Sequence, residues 1–217
     1  ENIVVPFLLD NGITSLDMVV ATHGHDDHVQ GLTDVLENLK VKKLLLPDIN
    51  NNEGLESLIE LAEKKKIHIV RCADRDLIHL DKNTLLYVLN PPLNSAGDDA
   101  SINNASLNNT SLVLKLQYKD LKVLFTADAE KEVEERLLRE DKDLFADVLK
   151  VGHHGSETST SQAFLESVNP NAAVISVGKN NFGHPSEEVM CRLEEADIKI
   201  FRTDLDGAIT IRKGLGK

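Results

Sequence analysis

The chain has 217 residues, is 41% hydrophobic and carries a formal charge of -12, which allows one large soluble domain or two small ones. No run approaches the ~20 consecutive apolar residues that cross a bilayer, and residues 1–9 have neither the charged nor the apolar region of a signal peptide. The acidic balance argues against broad attraction to nucleic acid, which rests on Lys and Arg. With only Cys72 and Cys191 there is neither a disulfide framework nor a CxxC pair, and both thiols are expected to be buried.

Strand-like and helix-like segments alternate, the signature of an α/β domain. Residues 17–22 (DMVVAT) read as a buried strand, 28–39 as a helix and 42–46 as a second strand. An amphipathic helix over 54–66, with Leu55, Leu58, Ile59 and Ala62 on one face, leads into a strand at 67–71. Residues 90–109, rich in Pro, Asn, Ser and Gly, read as a long loop. Strands are predicted at 84–89, 111–118 and 121–126, the last two antiparallel across the short turn Lys119-Asp120. The last third predicts helices at 129–140, 159–167 and 186–196, and strands at 147–151, 172–177, 198–202 and 208–212.

The strongest chemical signal is Thr22-His23-Gly24-His25-Asp26-Asp27-His28, where a buried strand gives way to a helix. His23 and His25 are two apart and in extended backbone project to one side, while Asp27 and His28 begin the next element. Imidazoles and carboxylates without thiolate suit Zn²⁺, Mn²⁺ or Fe, and two ions ~4 Å apart are a known hydrolytic arrangement. Asp128 follows the apolar run Val123 to Phe125, and His153 and His154 follow Val148 to Val151. His184 precedes Pro185, which favours extended backbone. His68 and His79 sit inside apolar segments and read as structural.

The first motif resembles the signature of the metallo-β-lactamase superfamily. The ordered series His23 to His28, Asn108 to Leu114, Phe125 to Glu130, Lys150 to Ser156, Gly183 to Pro185 and Asp206 to Ile209 is similar to the C-terminal metallo-β-lactamase-like domain of the ComEC family of bacterial competence proteins. The resemblance covers nearly the whole chain. It implies one domain over 1–217 with an αβ/βα four-layer sandwich, starting after the family's opening strands. It also implies a soluble domain that does not itself insert in the membrane. The domain would belong to a longer chain containing a membrane channel, at the bacterial inner membrane with the outer face favoured.

As the resemblance implies, His23, His25 and Asp128 bind one divalent ion, and Asp27, His28, Asp128 and a late histidine, His153 or His184, bind the other. Ala127 stands where the family usually has Gly. Asn108 to Ser111 stand where many members supply a third histidine, which tilts the preference from Zn²⁺ towards Mn²⁺. The implied reaction is hydrolysis of DNA phosphodiesters in the strand not taken up. Asp27, His153 and His184 would do the chemistry, and Asn109, Thr110, Ser111, His154 and Ser156 would contact substrate. Two other readings keep the fold: a hydrolase of another ester, of phosphocholine esterase or lactonase type, and an inactive docking domain.

Overall fold

The computed structural model describes residues 3–50, 53–93 and 107–212. The chain divides into two compact units, Glu1–Asp74 with Asn90–Leu112 and Arg75–Leu89 with Val113–Lys217. Residues 94–106 of the predicted long loop lie outside the described residues. Among the described residues no helix is long and apolar enough to cross a membrane.

The first unit contains α1 (Val4–Asp10), β1 (Ser15–Leu16), β2 (Val19–Val20), α2 (Asp26–Asn38), β3 (Lys40–Val41), β4 (Lys43–Pro47), α3 (Glu56–Lys64) and β5 (His68–Cys72). β2, β4 and β5 form a parallel sheet in the order β2-β4-β5, with Val20 opposite Leu45 and Leu44 opposite Ile69. Leu44, Leu45 and Leu46 are all buried, as in a parallel strand covered on both faces. β1 pairs with β3 in a separate two-stranded ladder. The predicted apolar face of α3 is borne out: Leu55, Leu58 and Ala62 are fully buried and Ile59 packs against the same cluster. Burying one such leucine contributes about 2 kcal/mol.

The second unit contains β6 (Leu77–Asp81), β7 (Thr84–Asn90), β8 (Val113–Tyr118), β9 (Leu121–Phe125), α4 (Lys131–Arg139), β10 (Val148–Lys150), α5 (Gln162–Val168), β11 (Ala172–Ile175), α6 (Glu187–Glu195), β12 (Lys199–Arg202) and the single turn α7 (Thr203–Asp206). Its seven strands lie in the order β12-β11-β10-β9-β8-β7-β6. β9 to β12 are mutually parallel, so their C-terminal ends share one rim. β8 and β9 are the expected antiparallel hairpin, with Tyr118 opposite Leu121. Val133 and Leu137 of α4, Phe164 and Val168 of α5 and Val189 and Leu193 of α6 join Leu124, Leu149 and Ile175 of the sheet in one core.

Three expectations are corrected. Residues 208–212 form no strand, because the backbone N–H of Arg202 donates to the Asp206 carboxylate, closing α7, and Gly207 then turns at φ 69°. Cys191 is exposed on α6 rather than buried, whereas Cys72 is buried at the end of β5. α2 begins at Asp26, two residues early, because Asp26 and Asp27 suit the positive end of the helix dipole. The edge strand β6 was not assigned from sequence. Most of its residues are exposed, so it lacks the alternation that marks a half-buried strand.

Candidate functional site

In the first unit, β2 emits the motif directly. The Ala21 N–H donates to Leu45, extending the pairing by one residue, and the chain turns through Gly24 into α2. A Cβ on Gly24 would run into the Glu53 carbonyl, and one on Gly54 (φ 76°) into the Gly24 carbonyl. Backbone therefore rests on backbone, and this contact fixes the direction of the flanking histidines.

His23 is fully buried, with Nδ1 3.1 Å from the Thr22 hydroxyl and Nε2 3.2 Å from His25 Nδ1. The His28 ring lies 4.3 Å from that of His23, centre to centre, and His28 Nε2 is 3.6 Å from Asp27 Oδ2. The expected same-side projection of His23 and His25 is thus present, and the first turn of α2 adds Asp27 and His28.

The segment Leu107–Thr110 is a 3-10 turn tied to this strand end, because the Leu112 N–H donates to the Thr22 carbonyl at 2.9 Å. Asn90 donates to the carbonyls of Asn109 and Ser111, and the Thr110 hydroxyl donates to the Leu107 carbonyl at 2.7 Å. Thr110 therefore braces the turn. Asn108 is buried, and its Oδ1 has no hydrogen-bond partner among the described residues. Sequence reasoning placed Asn108 in the right segment but passed over it as a site residue. Its buried, unpaired oxygen becomes apparent only in three dimensions.

In the second unit, the parallel pairing of β9 and β10 (Phe125 opposite Lys150) brings Asp128 and the His153-His154 pair to one rim. Asp128 is 2% exposed. Ala127 before it has φ 47°, the left-handed region that glycine enters most easily, which accounts for the glycine usual in the family. Its carbonyl accepts from the His153 N–H and from Lys150 Nζ, each at 3.0 Å. Lys150 Nζ also lies 3.8 Å from Asp128 Oδ1. Lys150 and Glu130 belong to this environment although neither was singled out; a lysine inside the apolar run Val148 to Val151 was the available signal.

His153 (φ 44°), His154 (φ 55°) and Gly155 (φ 84°) are consecutive left-handed residues. This strained turn separates the two imidazoles. His154 Nδ1 lies 2.7 Å from the Ser176 carbonyl, which can only accept, so Nδ1 carries the proton and Nε2 presents a lone pair. That lone pair faces Asp128 Oδ2 at 3.4 Å. Two acceptors at this range require a cation between them, a proton or a metal ion, and a histidine whose second nitrogen donates to a carbonyl is the usual form of a metal ligand. Accordingly the Asp128 hydrogen bond, against the opposing cost of burial, raises the His154 pKa above its ordinary 6.5.

His153 points differently, with Nδ1 3.4 Å from the Thr158 hydroxyl and 3.5 Å from Glu130 Oε1, and Nε2 3.9 Å from Asp128 Oδ2. The geometry favours His154 over His153 as a ligand of the Asp128 site. His184, 5.6 Å from His153 between ring centres, is anchored where the Ser186 N–H donates to the Gly155 carbonyl. Burial first, then the neighbouring His153 and His154, lower its pKa and keep it neutral at pH 7. Ser156 is buried, with its hydroxyl 3.1 Å from that of Thr158, a brace for the turn. His68 and His79 are exposed, on β5 and β6.

The profile of the metallo-beta-lactamase superfamily matches residues 5–179. The chain belongs to the metallo-β-lactamase superfamily. It is 36% identical over 214 residues to ComE operon protein 3 of Bacillus subtilis (strain 168), covering 98% of this chain and 26% of that protein. It is 40% identical over 115 residues to competence protein ComA of Neisseria gonorrhoeae, covering 52% of this chain and 17% of that one. The chain thus spans about a quarter or less of the length of these curated relatives. Among solved structures, a possible metal-dependent hydrolase from Veillonella parvula aligns with TM-score 0.57 at 16% identity, over 97% of this chain and 80% of that one. The likeness is one of fold, and the α/β metallo-β-lactamase expectation from sequence is borne out.

Proposed function

We propose that this metallo-β-lactamase domain is a metal-dependent phosphodiesterase that cleaves DNA during DNA uptake, as part of a longer protein at the bacterial inner membrane, on its outer face. The observation that carries this reading is the similarity to ComE operon protein 3 along 98% of the chain. The word competence in the name of the Neisseria relative supports it.

The reading assigns two divalent ions to the histidine and aspartate sets. Asp27, His28, Asp128 and His154 would hold one, and His23 and His25 with Asp128 would hold the other. Asn108 Oδ1, buried and without a hydrogen-bond partner among the described residues, would supply the ligand that other members take from histidine. An amide oxygen is a hard donor, so Mn²⁺ is favoured and Zn²⁺ is possible. When bound, the ions supply electrophilic activation of the phosphoryl group and of water. Asp27 and Asp128 fix the ligand geometry. His154 is oriented by Ser176. In this reading His153, between Glu130 and Thr158, protonates the leaving oxygen, and His184 accepts a proton. Asn109 and Ser111 remain candidates for phosphate oxygens.

Plasmid and single-stranded DNA incubated with Mn²⁺ test the reading, beside the His23→Ala variant. Cleavage of DNA by the wild type, and its loss in the variant, are expected. Turnover of phosphocholine esters or lactones without any cleavage of DNA would overturn it.

A further inference from the structure

Phe182 is 83% exposed, the most exposed large hydrophobic residue among those described. An aromatic ring so placed is costly to leave in water, yet its loop is well defined by one side chain. Asn180 Nδ2 donates to the carbonyls of Gly178 and His184, at 2.9 and 2.8 Å, and Asn180 Oδ1 accepts from the backbone N–H groups of Phe182 and His184, at 3.0 and 3.1 Å. All the capacity of that amide goes into holding the turn. The Phe182 ring lies nearly parallel to that of His184, at 24° and 6.0 Å between centres. Both rings line an open cavity of about 400 Å³ together with Glu157, Glu187 and Glu188.

The lining decides what such a cavity can take. Three exposed carboxylates disfavour a phosphate beside them, so the strand is expected to turn a base rather than its backbone towards this rim. The same carboxylates accept hydrogen bonds from the amino groups of adenine, cytosine or guanine, and a fixed, solvent-facing ring offers a base its π-face. We infer that Phe182, backed by His184 and rimmed by Glu157, Glu187 and Glu188, is a stacking platform for one unpaired nucleobase of the substrate strand. The inference rests on the phosphodiesterase reading above and adds to it that the substrate is single-stranded beside the scissile bond. Binding there uses the base and leaves the phosphate for the ligand residues.

The test uses the whole 217-residue chain in Mn²⁺ with two slowly hydrolysed phosphorothioate strands, read before cleavage sets in, one carrying 2-aminopurine and the other abasic throughout. Stacking losses on alanine substitution are worth roughly 5- to 160-fold in affinity. Phe182→Ala is therefore expected to weaken binding of the base-bearing strand by that factor and to abolish quenching of the aminopurine. It should leave the abasic strand and the unfolding midpoint unchanged, and Phe182→Trp should retain the quenching. A Phe182→Ala variant that binds both strands as the wild type does, or weakens both equally, overturns the platform. Cleavage of ordinary phosphodiester versions of the two strands separates the two ideas. If the wild type cleaves the abasic strand while Phe182→Ala binds the base-bearing one normally, the platform alone falls. If the wild type cleaves neither but quenches aminopurine through Phe182, the phosphodiesterase reading alone falls.

Discussion

Replacing His154 and His153 separately by alanine tests which imidazole holds metal. Alanine keeps the left-handed backbone cost at either position, so the turn loses only its ring. His154 offers Nε2 to Asp128 Oδ2 at 3.4 Å with Nδ1 committed to Ser176, while His153 spreads its contacts over Glu130, Thr158 and Asp128 at 3.4 to 3.9 Å. Metal at 100 times its Kd stabilises the native state by about 2.7 kcal/mol. Loss of a directly bonded ligand that weakens affinity at least ~100-fold would leave about 0.4 kcal/mol at the same metal concentration, by the same relation. Loss of a neighbour that only orients costs ~10-fold and leaves about 1.4 kcal/mol. Urea unfolding with and without Mn²⁺ should therefore show the metal increment nearly abolished in His154→Ala and about half retained in His153→Ala. The reverse order, or equal increments in both variants, would refute the assignment.

Asn108→His should restore a nitrogen ligand and raise Zn²⁺ affinity relative to Mn²⁺ by about tenfold or more in calorimetric titration; unchanged metal preference would remove Asn108 from the ligand set. Glu134, 2% exposed, accepts from the backbone N–H groups of Thr160 and Ser161 just ahead of α5, so Glu134→Ala leaves one buried and one half-buried donor unpaired and should cost about 2 kcal/mol in denaturant unfolding. The Lys115 ammonium, 2.7 Å away, holds the Asp143 carboxyl below its ordinary 3.8. A depressed acid contributes stability that is present above 3.8 and is lost as pH falls through the lower folded value. The unfolding midpoint should accordingly drop below pH 4, with a shallower acid slope in Asp143→Asn; identical slopes would count against the pair.

The parallel strands were legible because Leu44 to Leu46 and Val148 to Val151 are apolar runs bounded by polar turns, and the ligand types were legible because histidines stand just beyond the apolar segments ending at Ala21 and Val151. The sequence reading favoured His153 as the ligand and gave His154 to the substrate, whereas the ring that faces Asp128 most closely is His154, because the direction of each ring depends on two successive left-handed residues that no local pattern specifies. Nor did it mark Thr110 and Ser156 as braces. A hydroxyl reads alike in sequence whether it meets a phosphate or its own backbone. β6 went unassigned because an edge strand buries little, and residues 208–212 read as a strand although no neighbouring strand pairs with them.

The close meeting of Gly24 and Gly54 bears on how this protein can vary. A change at Gly54 lies in a loop without any ligand and would look harmless in a survey of variants, yet any side chain there displaces the carbonyl between His23 and His25. Each glycine is therefore constrained by backbone rather than by the other's missing side chain, so a second substitution cannot compensate for the first.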